Sequence, residues 1–183
     1  MMRSFTKKRD IIRPGVTRFA SAFLTLQSLI EKKESLRTMF ASTEWDECIW
    51  SKQAKGKAAF ATVMSVSFWN GVTQYLKVFA PLVRVLRLVD GDRKPSMGFV
   101  YGELKKTKEE IKEALNNIES NYRPILEIMD TRIEGRLDTP LHAFAYLLNP
   151  YYYYKDASIE YDVNVMDGVF TVVEAFFPND IDM

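Results

Sequence analysis

The sequence predicts an all-α fold, an irregular multi-helix bundle of about six to nine helices joined by short connections. Three observations predict it. Apolar residues recur at spacings of three and four through most of the chain, which gathers them on single helix faces. Two-residue alternation is scarce, and Val163-Asn164-Val165 is too short for a strand. Proline and glycine fall between the periodic stretches, where helices stop and restart.

Residues 1–16 read as a basic N-terminal arm, with Arg3, Lys7, Lys8, Arg9 and Arg13 against Asp10 alone. A helical domain is expected over 17–178, and an acidic tail over 179–183. Thr17 suits an N-cap. Phe19, Phe23, Leu26 and Ile30 then form one stripe, and Glu31 to Glu34 mark its solvated exit. A second helical piece covers Ser35 to Ala41. Ser42-Thr43 caps a short helix carrying Trp45, Cys48 and Trp50, and Lys52, Lys55, Gly56 and Lys57 form a basic loop. From Ala58 the chain is apolar in nearly all directions, as in the central helix of a bundle.

Pro81 suits the first turn of the next helix, where its missing N–H has no partner to lose. Leu82, Val85, Leu86 and Val89 are its stripe, and Arg84 and Arg87 face out or cover the flank with their stems. Asp90-Gly91-Asp92 stops it, and Pro95-Ser96 restarts the chain. Met97, Val100, Leu104, Ile111 and Leu115 run down a long amphipathic helix, whose other face offers the pairs Lys105–Glu109 and Glu109–Lys112. Further helices are expected around Tyr122 to Ile133, with Pro124 in the first turn and Gly135 as the stop, from Pro140 to Leu148, and over Val163 to Phe177. Tyr151 to Tyr154 form an aromatic run between the last two.

Composition excludes several classes. With 25 Lys+Arg against 24 Asp+Glu the net charge is +1, so no global field draws nucleic acid or an anionic membrane. One cysteine forms no internal disulfide, and one cysteine with one histidine cannot complete a Cys/His zinc module. These counts fit a reducing intracellular compartment. The longest uncharged run lies between Lys57 and Lys77. Thr62, Ser65, Ser67, Asn70, Thr73 and Gln74 recur through it, so a membrane span is not expected.

The candidate chemistry is sparse. There is no glycine-rich loop that would wrap a phosphate, so nucleotide hydrolysis is not expected. Cys48 beside Glu47 reads as a small core residue. His142 reads as a structural residue near a helix start, although Asp138 stands close enough in sequence to orient it as a general base. Asp90 and Asp92, flanked by Arg93 and Lys94, read as a helix stop and not as a metal site. Arg18-Phe19, directly after the basic arm, pairs a phosphate clamp with a ring that stacks on a base or packs in the core. No metal, cofactor or small-molecule substrate is expected.

Several strings together resemble one family: RPGVTRFASAFLTLQSL, EWDECIWSK followed by KGKAAF, SFWNG, FAPLVRVLRLVDGDRKPSMGFVYGEL, and TPLHAFAYLLNPYYYY. In order and spacing, from Ile12 to Pro178, they are similar to plant hAT-superfamily transposase-like proteins of the branch with BED-type zinc fingers and a DUF659 region. The resemblance implies an RNase H-like core interrupted by a helical insertion, to which this sequence corresponds together with its flanks. It implies that Arg18-Phe19 occupies the place of an Arg-Trp motif whose Trp holds a flipped base. The family cuts DNA with two Asp and one Glu that bind divalent metal. The two Asp would lie upstream of Arg18 and the Glu beyond Leu148-Asn149-Pro150, outside the matched strings.

The resemblance therefore implies a truncated, catalytically inactive, nuclear protein and not an enzyme. Its expected partners are DNA, reached through Lys7, Lys8, Arg9, Arg18 and Phe19, and related hAT-type proteins. The alternative is a helical protein-interaction module anchored by Tyr151 to Tyr154. A small hydrolase built on His142 is the least favoured reading.

Overall fold

The structure, a computed structural model, describes residues 1–13, 15, 21–91 and 97–178. Thr17, Arg18, Phe19, Asp92, Pro95-Ser96 and the acidic tail lie outside the described residues. The described residues form helices and no strand, and eight of the helices have seven or more residues, so the fold is all-α. Among them, no helix is long and apolar enough to cross a membrane. The chain divides into two compact units, Met1–Ala80 and Pro81–Met183, where the sequence suggests one helical domain.

Unit one holds α1 (Met2–Phe5), α2 (Ser21–Glu31), α3 (Lys33–Phe40), α4 (Thr43–Asp46), a 3-10 turn (Ile49–Lys52), α5 (Ala54–Met64) and the first part of α6 (Val66–Val89). Its core is Leu36, Met39, Phe40, Trp45 and Trp69. Met2, Phe5 and Ile11 pack against that core, so the N-terminal segment folds onto α3. Ser42 caps α4 by accepting from the Trp45 amide at 3.3 Å.

The apolar stretch after Ala58 is not one buried central helix. It breaks at Ser65, whose backbone is extended and whose hydroxyl accepts from the Phe68 amide at 3.2 Å. The resulting α5 buries none of its residues, because Ala54, Ala58, Ala59 and Ala61 offer it little side chain to bury. Lys55, Gly56 and Lys57 lie in its first turns and not in a loop. Pro81 lies inside α6 instead of starting a helix. Nothing in Lys77-Val78-Phe79-Ala80 halts the preceding helix, so the helix runs through at the cost of the one backbone hydrogen bond that proline cannot donate.

Unit two holds the end of α6, α7 (Met97–Ala114), α8 (Glu119–Ile133), α9 (Pro140–Leu147), α10 (Pro150–Tyr153), a 3-10 turn (Ile159–Tyr161) and α11 (Val163–Phe176). The α7 stripe is buried as its spacing predicts at Val100, Leu104 and Ile111, and at Leu115 just past the helix end, while Met97 at its start is exposed. Helix α9 packs on both α7 and α11, and Tyr146, Ile159 and Val165 form a cluster beside Tyr101 and Tyr152. Pro124 falls in the second turn of α8, since that helix starts earlier than expected, at Glu119.

Surface charges in unit two reach further than sequence spacing suggests. Glu109 pairs with Lys112 at 2.7 Å as expected. Lys105 does not pair with Glu109 but with Asp162, at 2.8 Å across to the start of α11. Arg84 does not merely face out, because it bridges Glu103 and Glu110 of α7 at 3.1 and 3.0 Å. Those bonds, first the one to Glu110, hold its proton more tightly than usual.

Asp162 has two tasks. One oxygen accepts from Lys105 and the other from the Asn164 amide at 3.1 Å, which caps α11. The Lys105 hydrogen bond, ahead of other causes, lowers the carboxyl pKa. Asp162→Ala should cost about 1–2 kcal/mol at pH 7 from the cap and a half-exposed pair. A carboxylate with a depressed pKa stabilises the fold above its unfolded pKa, near 3.9, and that contribution fades as pH falls through the folded value. In urea melts at pH 7 and pH 3 the gap between wild type and Asp162→Ala should therefore shrink at the lower pH. A gap unchanged between the two would remove the ionised carboxylate from the explanation.

Candidate nucleic-acid interface

Of the predicted DNA-contacting residues, the structure describes Lys7, Lys8 and Arg9. Helix α1 ends at Thr6, which is buried, with its hydroxyl bonded to the carbonyls of Met2 at 3.0 Å and Arg9 at 2.6 Å. The chain then turns through Lys7 and Lys8, both in the left-handed region with φ of 51° and 62°. A non-glycine residue there costs about 1–2 kcal/mol. The Lys8 amide donates to Arg3 O at 2.8 Å and the Arg9 amide to Thr6 O at 3.0 Å, which fixes the turn. The Arg3 guanidinium grips the Asp10 carboxylate through both oxygens, and this hydrogen bonding lowers the pKa of Asp10. The segment's one acid is thus already partnered, while Lys7, Lys8 and Arg9 remain exposed.

The next contact ties this turn to α2. The Ile12 amide donates to the Ser28 hydroxyl at 3.2 Å. That oxygen also accepts from the Lys32 ammonium at 2.8 Å, and the Ser28 carbonyl accepts from the same group at 3.2 Å. Lys32 is only 9% exposed, so the expectation of a solvated exit at Glu31 to Glu34 is wrong at this residue. Lys32 is the single residue between α2 and α3, its side chain folds back one turn onto Ser28, and the returning segment of residues 6–12 closes around it.

Thr6, Lys7, Arg9, Glu31, Lys32 and Ser35 line one cleft of about 250 Å³. Three bases and one acid meet there. Sequence reasoning found two of the bases and missed Lys32. Its only signal is Ser28 four residues earlier, which on an amphipathic helix reads as an ordinary surface pair.

Other candidates are accounted for differently. The His142 Nδ1 lies 2.7 Å from the Thr139 hydroxyl at the start of α9, and burial lowers its pKa. Asp138 accepts from the Gly135 amide at 2.7 Å, in the turn after α8, and its charge acts on the imidazole in the direction opposite to burial. Cys48 is a half-buried free thiol. Among the described residues, no three His, Cys, Asp or Glu come together as a metal site.

The tyrosine run splits. Tyr152 turns inward and bonds Glu103 at 3.2 Å, burial raising its pKa ahead of the Glu103 charge. Tyr151 lies under the Lys155 ammonium at 3.9 Å, Tyr153 bonds Glu160, and Tyr154 is 83% exposed. A larger polar cleft of about 440 Å³ in unit two includes Lys105 and Lys108. Asp162 and Asp130 already partner these cations, so it offers an anion far less than the cleft in unit one.

Comparison of the chain with protein families, with curated proteins and with solved structures gives no match.

Proposed function

We propose that this protein is a non-cleaving relative of hAT transposases that binds DNA through its N-terminal basic segment. The observation that carries the reading is the convergence of Lys7 and Arg9 with Lys32 on one cleft, with Lys8 exposed beside it. Phosphates are the sequence-independent partner such a cluster fits, and each phosphate neutralised releases counterions from the duplex. Arg18 and Phe19 would add a base contact by family resemblance. The non-cleaving part rests on the same resemblance, whose matched strings contain none of the three metal-binding acids.

Anisotropy titrations with a labelled duplex over a series of salt concentrations test this. Affinity should fall with salt at a log–log slope of about −0.9 per phosphate contacted. The triple variant Lys7→Ala, Lys8→Ala, Arg9→Ala should make that slope shallower by about one unit per lost contact. A flat slope, or no binding at low salt, overturns the reading. Magnesium-dependent nicking by the pure protein would overturn its non-cleaving part.

A second reading, a protein-interaction module, is favoured by the aromatics exposed in unit two. Tyr154 and Tyr161 are each more than four-fifths exposed, and Phe170 and Phe176 stand out from α11. Association with an hAT-type partner that survives high salt and is lost on Tyr154→Ala would support it over DNA binding.

A further inference from the structure

We infer that the cleft between the Thr6–Arg9 turn and Lys32 is a receptor for a single phosphate monoester, the terminal phosphate of a strand where the ligand is DNA. Only that choice of source rests on the DNA-binding reading, since the cleft's chemistry holds for any phosphate monoester.

The buried lysine is the first ground. An ammonium has three donors, and Ser28 takes two of them at 2.8 and 3.2 Å. Among the described residues no carboxylate lies within ion-pair distance of it. Lys32 as a residue is 9% exposed and has no such carboxylate in contact, so an anion in the cleft supplies its direct counter-charge. The second ground is the turn. Two consecutive lysines held at positive φ are a strained arrangement of the kind that clusters at ligand clamps. This turn places Lys7 and Arg9 on the same cleft as Lys32.

Charge and size select the ligand. Lys7, Arg9 and Lys32 against Glu31 leave two formal positive charges. A phosphate monoester carries about −1.5 to −2 near pH 7, whereas a diester within a strand carries one charge. A cleft of about 250 Å³ has room for one tetrahedral anion and its hydration. The Arg9 fork suits two oxygens of one phosphate, and Lys32 supplies a point charge.

The test uses the full chain and two labelled single-stranded oligonucleotides of one sequence, one 5′-phosphorylated and one 5′-hydroxyl, with calorimetry on inorganic phosphate alongside. The phosphorylated strand should bind about tenfold tighter, a difference of 1.4 kcal/mol. Inorganic phosphate should bind and should erase that preference. Lys32→Met, which keeps the side-chain length, should abolish the preference for the phosphorylated strand. Arg9→Ala, at an exposed position, should reduce the preference and keeps the test valid if Lys32→Met fails to fold. Equal affinity for the two strands, or a preference that both variants retain, overturns the inference while leaving general DNA binding intact. Phosphate binding that depends on Lys32, with no binding of either strand, upholds the receptor and overturns the DNA reading.

Discussion

Trp69→Ala should destabilise unit one by about 3–5 kcal/mol. Trp69 is 2% exposed and packs with Leu36, Met39, Phe40 and Trp45. Its ring meets Phe68 edge-on at 5.1 Å, and the Lys33 ammonium lies 5.7 Å from its centroid. Its indole N–H also donates to Val63 O at 2.6 Å. Val63 belongs to the last turn of α5, where carbonyls have no partner within the helix. Trp69 therefore fills the core and closes the break at Ser65 together.

The two contributions separate by substitution. Trp69→Phe keeps most of the volume and loses the donor, so it should cost about 1 kcal/mol beyond the small volume change. Denaturant melts followed by circular dichroism give the totals, and hydrogen exchange should place the lost protection in α3, α5 and the first half of α6. With total stability typically about 5–15 kcal/mol, the alanine variant should show a clearly lower midpoint. A loss under about 1 kcal/mol for Trp69→Ala would mean that the core does not depend on this ring.

Gly168→Leu should cost about 3 kcal/mol through overpacking of unit two. Helix α11 buries Val165, Gly168 and Val172, and it packs against α9. A Cβ at position 168 would lie 2.7 Å from the Cβ of Ala143, closer than such atoms approach. Two effects oppose each other in the smaller variant Gly168→Ala. Alanine gains about 1 kcal/mol of helix propensity, and overpacking costs about 1–3 kcal/mol. The neighbour is a methyl on a rigid helix and cannot swing aside, so the net sign should be destabilising. Ala143→Gly combined with Gly168→Ala should recover much of the loss, a coupling that a double-mutant cycle measures. Gly168→Ala that stabilises the protein would show that α9 and α11 are free to move apart.

The all-α class was legible because apolar spacing is a local property. So were the starts of α9 at Pro140 and α11 at Val163, and the buried stripe of α7. Their causes lie within a few residues: a proline that needs no donor, a side-chain cap, a repeat near one helical turn. The candidate site was legible only in part. Lys7 and Arg9 stand out as charges in a basic run, and charge can be counted without knowing the fold.

Other features depended on partners distant in sequence. Nothing local marks Lys32 as buried, because its environment is made by the return of residues 6–12 onto α2. Nothing local sends Lys105 to Asp162 or Arg84 to Glu103 and Glu110, because spacing along a helix ranks only neighbours on that helix. The break at Ser65, where its hydroxyl caps the Phe68 amide, and the unbroken passage through Pro81 turn on differences of at most a few kcal/mol, too small to read from spacing. The sequence alone thus determined that the chain is helical and which end is basic. Tertiary structure decided which charges face each other, because electrostatic and packing energies depend on separations that only the folded chain defines.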